Sequence, residues 1–109
     1  IVCVCDIDQT VCKQIIKKFN IPKYTLTYED LVSDPEVDAV WVCSPSNFHF
    51  THVTACLRNN KLVFCEKPLE VDFEKIKQII NFCAQISEFE EKHYFMKKLK
   101  SITQICLKV

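Results

Sequence analysis

The sequence has 109 residues, of which 49% are hydrophobic and none is glycine, and 14 basic residues balance 14 acidic ones. Zero net charge excludes a strong electrostatic signal for nucleic acid or a membrane surface, and no apolar run approaches the roughly 20 residues that span a bilayer. We therefore expect one small cytoplasmic domain, or part of a larger protein, with no nucleic-acid or membrane partner. The chain opens on Ile1, inside an apolar run, which favours a fragment.

The N-terminal part of the sequence predicts a strand followed by a helix. Residues 1–6 form an apolar run that ends at Asp6, the pattern of a strand buried on both faces. A helix is predicted over 8–19, with Asp8 as its natural N-cap. Asn20 follows at the position where a left-handed residue, usually glycine, ends a helix.

The next elements continue this alternation. A short strand over 25–27 precedes a brief helix, for which Thr27 is the predicted N-cap and Asp30 holds the capping-box position. Residues 37–43 form a largely apolar strand, with Asp38 near its start, which is typical of a central strand in a parallel sheet.

A second pair of helices flanks the strand over 61–65. Ser46 or Asn47 is predicted to cap the first helix, which ends at 59–60 with asparagine again in place of glycine. Asp72 is predicted to cap the second, long helix. Its expected apolar stripe consists of Phe73, Ile76, Ile79, Ile80 and Cys83.

The C-terminal residues predict a basic helix over 89–100 and a strand within 102–109. Alternating strands and helices indicate an α/β fold with a doubly wound parallel sheet. Ligands bind beyond the carboxyl ends of the strands in such sheets. Candidate site residues follow three of the predicted strands: Asp6, Ser44, Pro45, Glu66, Lys67 and Pro68.

The eight cysteines lack zinc spacing and contain no C-x-x-C pair. Most of them fall inside predicted strands and helices, where a free thiol behaves as a small apolar side chain. We expect buried, reduced thiols; disulfides, a metal site or thiol catalysis are the alternatives.

Two charged residues could carry chemistry at the edge of the sheet. Asp6 could accept hydrogen bonds from the hydroxyls of an adenosine ribose and repel a 2′-phosphate, which would favour NAD over NADP. The alternative is a strand-ending acid that caps the next helix. Lys67 could hydrogen-bond a substrate hydroxyl or take part in its proton transfer, or it could be a surface lysine paired with Glu66.

His49 and His52 are three residues apart near the start of a predicted helix. A zinc site needs at least a third protein ligand, and the sequence offers none nearby, so we predict no metal.

The combination of these residues resembles a known family. Residues 37–79 are similar to the glucose–fructose oxidoreductase / inositol dehydrogenase (Gfo/Idh/MocA) family, in which a strand leads to Pro, His follows four residues later, and a further strand leads to Glu-Lys-Pro. "VCVCDID" resembles the strand with the ribose-binding acid, and "DLVSDPEVDAV" resembles the run before the fourth strand.

The resemblance implies a truncated NAD(P)-binding Rossmann domain and hydride transfer between nicotinamide and a hydroxyl-bearing carbon of a sugar, an inositol-like polyol or a related metabolite. NAD is the implied cofactor, and family members are often homo-oligomers. Lys67 is the implied catalytic residue. The implied cofactor-binding residues are Asp6, Ser44, Pro45, His49, Glu66, Lys67 and Pro68.

The sequence departs from the family at both ends. The family's first strand and glycine-rich loop are absent, and the Asp-x-x-x-His pattern of its second domain does not occur after residue 84. We predict a partial Rossmann domain over 1–84 and a degenerate or truncated start of the next α/β domain over 85–109. The alternative to an enzyme fragment is a degenerate, non-catalytic binding or interaction module, and we expect this chain alone to be inactive.

The missing first strand predicts a gap in the sheet. In the strand order 3-2-1-4-5-6 it lies between the second and the fourth strands, and each unpaired buried backbone group costs about 1–3 kcal/mol. We therefore expect no competent NAD-binding fold unless these two strands pair directly.

Overall fold

The computed structural model describes residues 1–89 and 105–108, so the predicted helix over 89–100 lies outside the described residues except for Phe89. The strands are β1 (Cys3–Cys5), β2 (Lys23–Thr25), β3 (Ala39–Val42), β4 (Leu62–Cys65) and β5 (Ile105–Lys108). The α-helices are α1 (Gln9–Phe19), α2 (Tyr28–Ser33), α3 (His49–Arg58) and α4 (Phe73–Phe89), and a 3₁₀ turn spans Ser46–Phe48. None of these helices is both long and apolar enough to cross a bilayer.

Side chains cap three of the helices as the sequence predicts. Asp8 accepts hydrogen bonds from the first amides of α1, the shorter of them 2.7 Å from the Thr10 nitrogen. Thr27 accepts from the Asp30 amide and donates its hydroxyl to the Asp30 carboxylate at 2.6 Å. Asp72 accepts from the first turn of α4. These bonds satisfy amides that the helices leave without an internal partner.

The prediction for the start of α3 is wrong. Neither Ser46 nor Asn47 caps it, because the chain enters α3 through a 3₁₀ turn and Phe48 stands at the N-cap without a side-chain bond. Two asparagines do replace glycine as predicted, since Asn20 has φ 53° and Asn60 has φ 55°. Strand β2 begins two residues before the predicted position.

All five described strands are parallel, in the order β2-β1-β5-β3-β4. Helix α1 packs on one face of the sheet around Val4, Cys12 and Ile21. Helices α2, α3 and α4 lie on the other face, where the larger core forms. Because helices cover both faces, the fold is the predicted doubly wound α/β sheet.

Strand β5 lies where the prediction left a gap. It pairs with β1 through Val4↔Leu107 and with β3 through Trp41↔Leu107. The expectation that β1 and β3 must pair directly is therefore wrong, because a strand from the C-terminal part of the chain lies between them. This position corresponds to the first strand in the order 3-2-1-4-5-6, and the chain itself supplies the ladder partners there.

Burial follows the sequence pattern in the sheet better than on α4. All three residues of β1 are buried, as expected for a strand between two helical layers. On α4, Ile79 is buried, whereas Phe73, Ile80 and Cys83 are exposed, so the predicted stripe is wrong over most of its length. Helix α4 packs mainly against α3 rather than flat on the sheet, which leaves part of its apolar face uncovered.

The cysteines within residues 1–89 are thiols rather than disulfides. Cys3, Cys5, Cys12 and Cys56 are buried as predicted. Cys43 and Cys65, at the ends of β3 and β4, are only half-buried, and Cys83 is exposed on α4, contrary to the expectation of burial.

Candidate functional site

The predicted site residues lie along one edge of the sheet. Asp6 follows β1, Ser44 lies two residues after β3, and Glu66 follows β4. Since the strands are parallel, all three residues are at their carboxyl ends. Strands β1 and β4 are three positions apart, which corresponds to about 14 Å at roughly 4.8 Å per strand. Asp6 and the Glu66 segment therefore flank the middle of the same edge.

Asp6 shapes the turn from β1 into α1. Its Oδ1 accepts a hydrogen bond from the Asp8 amide at 2.8 Å, and Asp8 in turn caps the helix. The alternative reading, in which Asp6 itself caps α1, is wrong because Asp8 does so. The Asp6 side chain is half-buried at the edge of the sheet.

A side chain of α3 fixes the segment that follows β3. Ser44 is buried, and its hydroxyl shares a hydrogen bond of 2.8 Å with Nδ1 of His52. The His52 ring contacts two aromatic side chains, with centroid distances of 4.8 Å to Tyr28 and 5.8 Å to Phe48. Pro45, the next residue, is exposed. The backbone that follows β3 is therefore fixed, while its outer surface stays accessible.

His49 connects this segment to the one after β4. Its side chain is only 2% exposed. Its Nε2 lies 2.6 Å from the carbonyl oxygen of Ser44, and its Nδ1 lies 2.8 Å from the carbonyl oxygen of Pro68. Sequence patterns did not indicate this bridge, because both acceptors are backbone atoms.

Glu66, Lys67 and Pro68 are exposed beyond β4. The Glu66 amide donates to the carbonyl of Val42 at 2.9 Å, which extends the β3–β4 ladder by one bond. The Lys67–Pro68 peptide bond is cis. Within residues 1–89 no ion pair joins Glu66 to Lys67, so the alternative of a paired surface lysine is not what the structure shows.

Glu70 is a charged residue near the site that no sequence pattern indicated. Its side chain is 4% exposed, and its Oε1 accepts hydrogen bonds from the amides of Val71 and Asp72. These two bonds, with a smaller contribution from Lys75 at 3.7 Å, lower the pKa of Glu70. Its Oε2 has no hydrogen-bond partner among the described residues. A glutamate two residues after Glu-Lys-Pro carries no recognisable capping spacing, so no signal pointed to it.

The two thiols beside the site are poor nucleophiles. Burial, with smaller contributions from Cys43 and Glu66, raises the pKa of the Cys65 thiol to about 11. Burial and then Glu66 also raise the pKa of Cys43. Because the thiolate is the reactive form, this edge of the sheet does not favour thiol catalysis.

A sequence profile described as an oxidoreductase family with an NAD-binding Rossmann fold matches residues 1–89. The chain belongs to this family. The resemblance of residues 2–8, 30–40 and 37–79 to Gfo/Idh/MocA proteins is thereby confirmed, and so is the Rossmann-type sheet.

Individual proteins agree with this assignment. Myo-inositol 2-dehydrogenase of Thermotoga maritima is 36% identical over 75 residues, which is 69% of this chain and 22% of that protein. Trans-1,2-dihydrobenzene-1,2-diol dehydrogenase of Xenopus tropicalis is 32% identical over 82 residues, covering 75% of this chain and 25% of that protein. The crystal structure of myo-inositol dehydrogenase from Lactobacillus casei with NAD(H) and myo-inositol superposes with a TM-score of 0.71 at 31% identity, over 75% of this chain and 24% of that one.

The chain spans about a quarter of the length of these relatives. Its residues fit an NAD molecule at two places. An acid at the end of β1 suits the ribose hydroxyls, and exposed groups beyond β3 and β4 suit the nicotinamide end. The fit is incomplete in the middle, since a chain without glycine contains no glycine-rich loop for the pyrophosphate.

Proposed function

We propose that this chain is the cofactor-binding part of an NAD-dependent oxidoreductase. The reaction is hydride transfer between nicotinamide and a hydroxyl-bearing carbon of a sugar, an inositol-like polyol or a related metabolite. One observation carries the proposal: the acid after β1 and the lysine after β4 occur on the same edge of a parallel sheet. The dehydrogenase relatives support it.

Each site residue has a role in this proposal. The bound nicotinamide supplies the hydride chemistry. Asp6 accepts hydrogen bonds from the ribose hydroxyls and selects NAD over NADP by repelling a 2′-phosphate. Lys67 hydrogen-bonds the reacting oxygen. As a neutral amine it would accept the hydroxyl proton when the alcohol is oxidised, and as an ammonium it would give a proton to the carbonyl oxygen in the reverse reaction. Glu66 helps to hold that loop, and Pro45 and Pro68 line the cleft. Ser44 and His49 are buried, and they contribute to the cleft through the backbone that they hold.

Domain division, location and partners are part of the same proposal. Residues 1–84 form the cofactor-binding segment, and residues 85–109 belong to the start of a further α/β domain. In this division the second segment contributes β5 to the sheet of the first. We place the protein in the cytoplasm, without nucleic-acid or membrane partners, and expect a homo-oligomer as in many members of the family.

A second candidate function is a non-catalytic binding or interaction module. The absence of glycine from these 109 residues favours it, because none of them can form the usual glycine-rich cradle for the pyrophosphate of a dinucleotide. The two candidates differ in a simple observable: the first requires the chain to bind NAD, and the second does not.

Binding of NAD and NADP to the chain can be measured by calorimetry or by NMR. For the oxidoreductase proposal we expect binding of NAD, tighter than binding of NADP. The variant Asp6→Asn should narrow that difference by about tenfold, the effect of losing a charged hydrogen bond of about 1.4 kcal/mol. The matched control is Asp38→Asn, since Asp38 is equally half-buried but precedes β3 at the opposite edge of the sheet.

The role of Lys67 needs turnover by the oxidoreductase that contains this chain. Lys67→Ala should lower kcat about a hundredfold or more with little change in NAD affinity, because it removes a proton-transfer group rather than a cofactor contact. Lys77→Ala, on the exposed side of α4, is the matched control. Loss of NAD binding in Lys67→Ala would contradict the catalytic role, and absence of NAD binding by the unaltered chain would favour the interaction module.

A further inference from the structure

The imidazole of His49 makes two contacts that a neutral histidine cannot satisfy together. Both partners are backbone carbonyl oxygens, 2.6 Å from Nε2 and 2.8 Å from Nδ1. A carbonyl oxygen only accepts hydrogen bonds, and a neutral imidazole carries a single N–H. One nitrogen of a neutral ring would therefore place a lone pair against a carbonyl oxygen. Only a doubly protonated ring can donate to both carbonyls.

The two distances agree with this reading. Hydrogen bonds from a charged nitrogen are shorter than neutral ones, at about 2.7–2.9 Å. The ring is buried and both of its nitrogens are used inside the protein, so its hydrogen-bonding capacity is directed to the backbone.

The contact with Pro68 fixes the segment that carries Lys67. On one side of Lys67, the Glu66 amide is bonded to Val42 of β3. On the other side, the carbonyl of Pro68 is bonded to His49 of α3. Lys67 thus lies between two anchored backbone groups, although the residues of this segment are themselves exposed.

The other end of the bridge is equally well fixed. The Ser44 carbonyl oxygen lies within hydrogen-bond distance of Nε2 of His49. The Ser44 hydroxyl is hydrogen-bonded to His52, one turn further along α3. Because residues three apart share one face of a helix, α3 presents both rings to the ends of β3 and β4. The helix therefore ties two strand ends together at the edge where the site lies.

We propose that His49 is a positioning residue for Lys67, and that it acts as a double hydrogen-bond donor between Ser44 and Pro68. This inference rests on the proposed function in one respect: Lys67 needs a fixed position because the proposed function makes it the catalytic residue. It replaces direct contact of the His49 ring with the cofactor by an indirect role, in which the ring sets the backbone that presents the lysine.

Three substitutions of His49 separate the two bonds. The amide nitrogen of asparagine can reach the place of Nδ1, that of glutamine the place of Nε2, and phenylalanine keeps the ring volume without a donor. We expect His49→Asn to retain an ordered Lys67 backbone. His49→Gln and His49→Phe should both loosen it, because they lose the bond to Pro68.

NMR of the full chain measures these outcomes without any cofactor. Long-range ¹⁵N spectra in neutral buffer should show a proton on both ring nitrogens of His49. Heteronuclear relaxation should show fast motion of the Lys67 amide in His49→Gln and His49→Phe and none in His49→Asn. His52→Phe is the control, since it removes the bond to the Ser44 hydroxyl and leaves the bond to Pro68 in place.

Several results would overturn the inference. A single proton on the ring would show that one of the two bonds does not form. Equal mobility of Lys67 in the Asn and Gln variants would show that the Pro68 bond does not order the loop. If one of these variants does not fold, the ring spectrum of the unaltered chain still decides the double donation. A chain that shows both protons and an ordered Lys67 but binds no NAD would contradict the proposed function and leave the bridge intact.

Discussion

A proline at residue 107 tests the unexpected position of β5. Leu107 pairs with Val4 on one side and with Trp41 on the other. Its amide therefore faces a neighbouring strand, whichever of the two sides it points to. Proline removes that amide hydrogen and leaves a carbonyl of the neighbouring strand unsatisfied, which costs about 1–3 kcal/mol. The ring also fixes φ near −65° and is tolerated only in edge strands and bulges.

We expect Leu107→Pro to lower the free energy of unfolding by about 2–4 kcal/mol, a large part of the 5–15 kcal/mol typical of a domain. With a urea dependence of about 1–3 kcal/mol per molar, the midpoint should fall by about 1–2 M. The fluorescence of Trp41, the single tryptophan of the sequence, reports from the strand next to β5.

Leu107→Val is the matched control, since it keeps the backbone amide and a β-branched side chain suits a strand. Its midpoint should stay close to that of the unaltered chain. If the proline and valine variants unfold at the same urea concentration, β5 does not contribute to the centre of the sheet. That result would support the original expectation of an open gap between β1 and β3.

Three further predictions concern caps, ion pairs and thiols. Asp8→Ala should destabilise the chain by about 1 kcal/mol through loss of the α1 cap, and an unchanged urea midpoint would contradict that role. A hydrogen bond from Lys23 is the largest cause that lowers the pKa of Asp34 below its ordinary 3.8, so this stabilisation is complete above pH 3.8 and is lost as the pH falls through the folded value. The melting temperature of Asp34→Asn should therefore fall less than that of the unaltered chain when the buffer changes from neutral to strongly acidic. An equal fall in both proteins would refute the pairing. Since burial raises the pKa of Cys65 to about 11, iodoacetamide should modify exposed Cys83 at least about tenfold faster at mildly alkaline pH, as mass spectrometry can show, and equal rates would refute this difference.

Local features of the fold could be predicted because short-range chemistry determines them. Asp8 and Thr27 cap helices since their side chains reach amides two or three residues away. Asn20 and Asn60 take positive φ because asparagine tolerates this conformation better than most residues. Apolar runs followed by Asp6 and by Glu66 predicted that both residues lie at the carboxyl ends of parallel strands, where the structure has them.

Long-range features escaped prediction for an equally physical reason. No local pattern predicts that the strand at residue 105 inserts between β1 and β3. Which strands pair in a sheet depends on contacts between segments that are distant in the sequence. The exposure of Phe73 on α4 depends on how that helix packs against α3. The bridge of His49 could not be inferred, since its two acceptors are carbonyls that every residue carries.

The central place of β5 has a consequence for the order of assembly. Strands β1 and β2 form one pair and β3 and β4 form another, and among the described strands the backbone hydrogen bonds between the two pairs run through β5. Val4 and Leu107 are neighbours in space although nearly the whole sequence separates them, and such non-local contacts close slowly. During synthesis on the ribosome the two halves can therefore form early but unite late, and until then both inner strands present unpaired edges that invite aggregation.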